Sequence, residues 1–172
     1  IVNDQRVELP PYLIGEVAIQ SISMFDGYRN YPEKTAEVLE DGWYYSGDYG
    51  FLIDEELYII GRKKDIIIVA GKNVYPEDVE DSISSVNGII PGRVVAFGEY
   101  AEALGTENVS IAAETNLTEE RDKKMLKIEI MKYGMSMDIT INNIYLVPPR
   151  WLIKSSAGKP SRKANKERLL NI

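Results

Sequence analysis

The sequence predicts an α+β fold, in which a small domain of β-sheet flanked by helices follows a β-rich fragment of something larger. Three observations carry this reading. Two amphipathic stretches, "NVYPEDVEDSISSV" and "NLTEERDKKMLKIEIMKYGM", repeat apolar residues at helical spacing. Between and after them lie β-branched runs, "GRVVAFG", "NVSIAAE" and "MDITINNIYLV", of strand length. Before them, residues 12–69 hold several short apolar runs cut by Gly and Asp. At 172 residues and 44% apolar residues, the chain has the material for a core of ordinary size.

Taken in order, "YLIGEVAIQSIS" reads as a strand, and "MFDGYRNYPEKTAEVLEDG" as a loop with a short helix around Glu33–Leu39. Phe51–Ile53 and Leu57–Ile60 flank an acidic turn and predict a hairpin. "GRKKD", Gly61–Asp65, is a charged break, read as a turn or a domain boundary. Ile66–Val69 forms a strand that closes on Gly71. Pro76 suits the first position of a helix, where its missing N–H costs nothing, and Glu77 and Asp78 suit the positive end of the helix dipole. The second helix is expected to be capped by Asn116 or Thr118, with Leu126, Ile130 and Met131 facing inward. "SRKANKERLL" supplies a last short helix. From residue 66 the expected order is β-α-β-β-α-β-α, whereas the preceding stretch has too few strands to close its own core.

Composition removes whole classes of chemistry. With no cysteine there is no disulfide, thiol nucleophile or thiolate metal site; with no histidine there is no imidazole triad. Any catalysis falls to Lys, Arg, Asp, Glu, Tyr, Ser, Thr or backbone groups. A reducing, cytoplasmic setting is compatible with this usage. No apolar run approaches the length of a membrane span, and the start shows no signal peptide. The start also lacks an initiator methionine, so the chain is expected to be a piece of something longer. Net charge is −7, but residues 150–172 carry seven basic residues against Glu167 alone. An acidic body with one basic end argues against general nucleic-acid binding and suits a local anion; a solvated basic tail is the plainer alternative.

Three motifs follow. In "IKSSAGKPSRKANKERLL" a P-loop would need glycine at Ile153 and Ser or Thr at Pro160, so that reading fails. What remains is Lys159 as a mobile point charge able to reach an anion. In "GWYYSGDYG" the glycines allow a tight turn at which Asp48 presents its carboxylate, which can accept hydrogen bonds from two ribose hydroxyls. The alternative is a turn in which Asp48 caps its own backbone. In "GRKKDIIIVAGKNVYPEDVE", Arg62 ends a strand, and Gly71, Lys72 and Asn73 form a turn into a helix. A solvent-facing arginine and an ordinary connection would explain them equally.

In combination and order these motifs resemble the acyl-adenylate-forming superfamily of acyl-CoA synthetases, fatty-acyl-AMP ligases, adenylation domains and luciferases. "GEVAIQSISMFDGYRNYPEKT" is similar to that family's Gly-Glu, Gly-Tyr, Pro and Thr stretch, and "GWYYSGDYG" to its Gly-Trp…Thr-Gly-Asp motif. "GRKKDIIIVAGKNVYPEDVE" resembles its hinge and acceptor loop, closest to fatty-acid activators, and "KSSAGKPSR" its terminal lysine motif with arginine three residues on. The resemblance implies that Asp48 holds the ribose hydroxyls of ATP and that Arg62 assists at ribose and phosphates. Lys64 would be the hinge, with residues 1–62 ending a large domain and 63–172 forming a mobile C-terminal domain. Gly71, Lys72 and Asn73 would line the tunnel for the pantetheine of CoA or an acyl carrier protein, and Lys159 would be the adenylation lysine. Fatty acid and ATP are the implied substrates; Mg2+ would be held by residues outside this chain.

The chain departs from the pattern at Ser46, where threonine is usual, at Ala157, where serine is common, and at Pro160, where an aliphatic residue is common. The family's phosphate loop and its Tyr-Gly-x-Thr-Glu motif are absent, so the chain alone is not expected to adenylate. A module that binds a carrier protein or nucleic acid without chemistry is the alternative.

Overall fold

The structure, a computed structural model, describes residues 1–156 and 158–170. It divides into two units, Ile1–Lys64 and Asp65–Ile172.

The first unit is built on one long strand. β3 (Trp43–Ile53) pairs antiparallel with β1 (Gly15–Ile19), β2 (Leu39–Glu40) and β4 (Glu56–Arg62). A short helix, α1 (Pro32–Val38), precedes β2 and starts on Pro32. The expected hairpin is present and longer than the apolar runs alone indicated. Its two-residue turn places Asp54 and Glu55 at φ 48° and 67°, the left-handed geometry that matches strand twist. Among the described residues, Val17 and Tyr45 are the buried hydrophobic side chains of this unit. So thin a core agrees with a sheet that has too few strands to enclose one.

Only Gly42 of "GWYYSGDYG" belongs to a turn, the one between β2 and β3; from Trp43 on the motif lies inside β3 and does not reverse the chain. Gly47, at φ 73°, gives the strand a local kink instead of a turn, and pairing with β1 and β4 carries the strand through it.

In the second unit β7 (Val94–Ala101), β8 (Thr106–Glu114) and β9 (Ile141–Val147) form a sheet, β7 antiparallel and β9 parallel to β8. The parallel step is made by the crossover helix α3 (Glu120–Ser136). Strand periodicity sends alternate residues to opposite faces. Val94, Ala96, Ile111 and Ile144 join a core with Val79 and Ile83 of α2 (Pro76–Ser84) and Leu126 and Ile130 of α3. Val95, Phe97, Ala112 and Val147 join Trp151, Leu152 and Leu169 on the other face. Leu169 belongs to α4 (Arg162–Leu170). Both faces are covered, which is why "VVAF" and "SIAA" read as continuous apolar runs. The expected last helix is present as α4, and it packs on the second face of the sheet.

Two further expectations change. α3 begins after Glu119, and neither Asn116 nor Thr118 caps it. Leu117 packs against the core and its N–H donates to Thr115 Oγ1 at 3.1 Å, which keeps 115–118 out of the helix. Met131 is 41% exposed; the buried stripe of α3 runs Leu126, Ile130, Gly134 at intervals of one turn.

Ile83 is fully buried at the junction of α2 and the sheet. Ile83→Ala should cost about 3 kcal/mol in urea unfolding, whereas the fully exposed Ile22→Ala should change stability by less than about 0.5 kcal/mol.

Candidate active site

Asp48 and Arg62 are fourteen positions apart in sequence, and the β3–β4 register makes them direct partners. Arg62 Nε lies 3.3 Å from Asp48 Oδ1, with side chains 55% and 34% exposed, so the pair faces solvent as a single polar step on the sheet. Asp48 does not cap its own backbone. Its N–H donates to Ser46 Oγ at 3.1 Å, so the hydroxyl retained at Ser46 fixes the kink. The Gly47 N–H donates to Glu16 Oε1 at 3.1 Å, and Glu16 Oε2 takes Lys63 Nζ at 3.2 Å. Lys63 also reaches Asp4 at 2.8 Å. Glu16 and Lys63 therefore brace the strand that presents Asp48. The motif reading gave neither a role, although Glu16 sits in the quoted Gly-Glu step.

In the second unit, Lys72 and Asn73 are strand, not turn. β5 (Ile67–Val69) and β6 (Lys72–Val74) form a hairpin that turns on Ala70 and Gly71, at φ 49° and 82°. Gly71 is exposed, and a Cβ there would meet nothing within 4 Å, so its backbone angle and not crowding favours glycine. The start of β8 holds β5. The Ile68 N–H donates to Glu107 Oε2 and the Ala70 N–H to Thr106 Oγ1, both at 2.7 Å, and the Thr106 hydroxyl donates to the Ile68 carbonyl at 3.0 Å. Lys72 pairs with Asp138 at 2.9 Å, and Asn73 is exposed.

Lys159 stands on the loop between β9 and α4. The Lys154–Pro160 bridge closes that loop, and the Ser155 N–H donates to the Lys159 carbonyl at 2.8 Å. Its ammonium is exposed and has no hydrogen-bond or ion-pair partner among the described residues. Ala157 lies outside the described residues. Lys64 is exposed at the end of the first unit. Asp48 and Arg62 are thus brought together, whereas Gly71–Asn73 and Lys159 occupy separate elements of the second unit.

The basic terminus is not a solvated tail. Arg162, at the start of α4, reaches Asp65 at 3.0 Å, Glu77 at 2.9 Å and Glu80 at 2.7 Å. Arg168 donates to the Trp151 carbonyl at 2.6 Å, its guanidinium 4.2 Å from the indole centroid. Burial works to lower the Arg162 pKa, but hydrogen bonding and charge from Glu80, then Glu77 and Asp65, more than offset it and raise it above the usual range. Burial raises Glu80, and Arg162 and the Ala96 N–H offset this only in part. Both shifts are upward, which favours the charged form of Arg162 and disfavours that of Glu80, because one guanidinium serves three carboxylates. Among the described residues Glu77 Oε2 is buried with no hydrogen bond. Arg162 is a fixed cation; Glu80 carries the strain. Among the described residues no group of three acidic side chains is placed to hold a metal ion.

Arg162→Ala should cost about 3 kcal/mol in unfolding at pH 7, because it strands three partly buried carboxylates. Glu80 holds its proton to higher pH than an unfolded glutamate near 4.5. Its contribution is therefore fully present below that value and lost as pH rises through the raised one. Removing Arg162 raises Glu80 further, so the deficit of Arg162→Ala against wild type should shrink when unfolding is repeated at pH 4.

No family model matches the chain. Among curated proteins, it is 32% identical over 181 residues to the probable long-chain-fatty-acid–AMP ligase FadD30 of Mycobacterium tuberculosis, covering 94% of this chain and 30% of that protein. It is 38% identical over 111 residues to the fatty acid–[acyl-carrier-protein] ligase ScoC of Streptomyces coeruleorubidus, covering 60% of this chain and 21% of that one. A solved structure from a study of fatty acyl-adenylate ligases of E. coli and L. pneumophila superposes with TM-score 0.84 at 27% identity, over 99% of this chain and 31% of that chain. The chain thus spans less than a third of the length of these relatives. In sequence and in fold, it matches the C-terminal portion of the acyl-adenylate-forming, AMP-binding superfamily.

Proposed function

We propose that the chain is the C-terminal part of an AMP-forming ligase for carboxylic acids, fatty acids foremost, and that it works with an upstream domain carrying the phosphate loop and acyl pocket. The observation that carries this reading is the Asp48–Arg62 step, an exposed carboxylate and guanidinium held in register 3.3 Å apart. A carboxylate there can accept both ribose hydroxyls, and the guanidinium beside it can bind ribose oxygen or phosphate.

In the first half-reaction a substrate carboxylate oxygen attacks the α-phosphorus of Mg·ATP. The bond to the bridging oxygen breaks, giving acyl-AMP and pyrophosphate. Two anions must approach, and the exposed Lys159 ammonium offsets the charge that builds between them. In the second, a pantetheine thiol of CoA or a carrier protein attacks the acyl carbon and expels AMP. A swivel of the backbone at Lys64 would exchange Lys159 for the Gly71 hairpin, whose exposed turn leaves room beside the backbone for a slender pantetheine arm. Lys72 and Asn73 would flank it. Relatives named as a fatty-acid–AMP ligase and a carrier-protein ligase support the fatty-acid reading. Among the described residues no helix is long and apolar enough to cross a membrane.

The test is acyl-AMP formation by the full-length protein from Mg·ATP and dodecanoate, followed by mass spectrometry with CoA added or withheld. Lys159→Ala should slow acyl-AMP formation by about 10²–10³-fold. Full activity in that variant would overturn the assignment of Lys159, and absence of acyl-AMP from any acid tried with wild type would overturn the ligase reading. Conversion to acyl-CoA would identify CoA as acceptor; acyl-AMP that persists beside CoA would identify a carrier protein.

A further inference from the structure

Asn165 has an environment that the helix it belongs to does not explain. It lies in the middle of α4 and is completely buried. Asparagine is a poor interior helix residue, and a buried amide is costly unless its hydrogen bonds are made. Here they are. Its Oδ1 accepts the Ile153 N–H at 2.8 Å, and its Nδ2 donates to the carbonyls of Ile153 at 2.9 Å and Ser161 at 2.8 Å. The partners fix the amide's orientation, since an N–H needs the oxygen and two carbonyls need the nitrogen.

Ile153 and Ser161 are the two stems of the loop that carries Lys159. They also bond to each other, Ser161 N–H to the Ile153 carbonyl at 3.0 Å. One buried side chain therefore locks both stems, while Gly158 and Lys159 beyond them are exposed. Upstream, the N–H of Leu152 donates to the buried Glu114 at 2.8 Å, which fixes the approach to the loop as well. The stems are thus held by hydrogen bonds, and Lys159 stands exposed beyond them. A leucine would fill the same helix position but leave the Ile153 N–H unpaired and the Ile153 and Ser161 carbonyls with only their backbone donors, the N–H groups of Ser161 and of residue 165.

We infer that Asn165 is a positioning residue for the adenylation half-reaction: it sets where the Lys159 ammonium can reach, without touching substrate. This rests on the reading of Lys159 given above. Because Lys159 serves only acyl-AMP formation in that reading, loosening its loop should impair that step and spare thiol transfer.

The test compares Asn165→Asp, Asn165→Ser and Lys159→Ala in the full-length protein. Asn165→Asp keeps shape and the acceptor for Ile153 but turns an oxygen toward two carbonyls, and Asn165→Ser removes most of the amide. Adenylation is read by dodecanoate-dependent exchange of pyrophosphate into ATP. Transfer is read from synthetic dodecanoyl-AMP to pantetheine, with thermal unfolding alongside. Both Asn165 variants should lose exchange by about 10²-fold, with pantetheine transfer within about twofold of wild type, since the displaced group takes no part in it. Exchange that stays at wild-type level while Lys159→Ala abolishes it would overturn the inference alone. So would equal losses in both half-reactions, the mark of a merely structural role. Full exchange in Lys159→Ala would instead overturn the reading beneath it, and the inference with it.

Discussion

One guanidinium organises the second unit. Arg162 binds Asp65 at the start of that unit and Glu77 and Glu80 on α2, and Glu80 in turn accepts the Ala96 N–H of β7. A planar fork with five donors can serve several carboxylates at once, which a lysine could not. The cluster draws together the first residue after Lys64, the helix that follows the Gly71 hairpin, the central sheet and the helix that follows the Lys159 loop. The elements that flank the candidate machinery in this unit are thus tied by one partly buried charge network, which is costly to desolvate and costlier to break.

From that clamp the division of labour follows. The elements that must be accurate are fastened from beneath: Asp48 through Ser46, Gly47 and Glu16, the hairpin through Thr106 and Glu107, the loop through Asn165 and Glu114. The groups proposed to meet substrate are exposed: Arg62, Gly71 and Lys159. A rigid scaffold with a few free tips fits a chemistry in which different groups are needed at different times.

Much of this was legible in the sequence, and what was missed shares one cause. Pro76 with Glu77 and Asp78 marked the start of α2, and β-branched runs marked the sheet, because local propensity and burial agree there. Asp48 and Arg62 could be named from their motifs, but their pairing is a matter of register, which no local pattern shows. The basic run from Arg150 read equally well as a solvated tail, since charge counts do not reveal that Arg162 faces three acids from distant segments. Met131 and the cap of α3 differ from expectation for the converse reason: helical spacing is local, whereas the packing of Leu117 and the burial of Leu126, Ile130 and Gly134 are tertiary. Asn165 gave no signal at all, because an asparagine in a polar stretch looks like surface until its partners are seen.

The most direct test of the Arg162 clamp is a double-mutant cycle between Arg162→Met and Glu80→Gln, with stability read by urea unfolding at pH 7. If the network organises the unit as described, the two substitutions should couple by about 2 kcal/mol, at the upper end of what contacting residues show. Additivity within about 0.5 kcal/mol would contradict it and return Arg162 to the status of an ordinary surface ion pair.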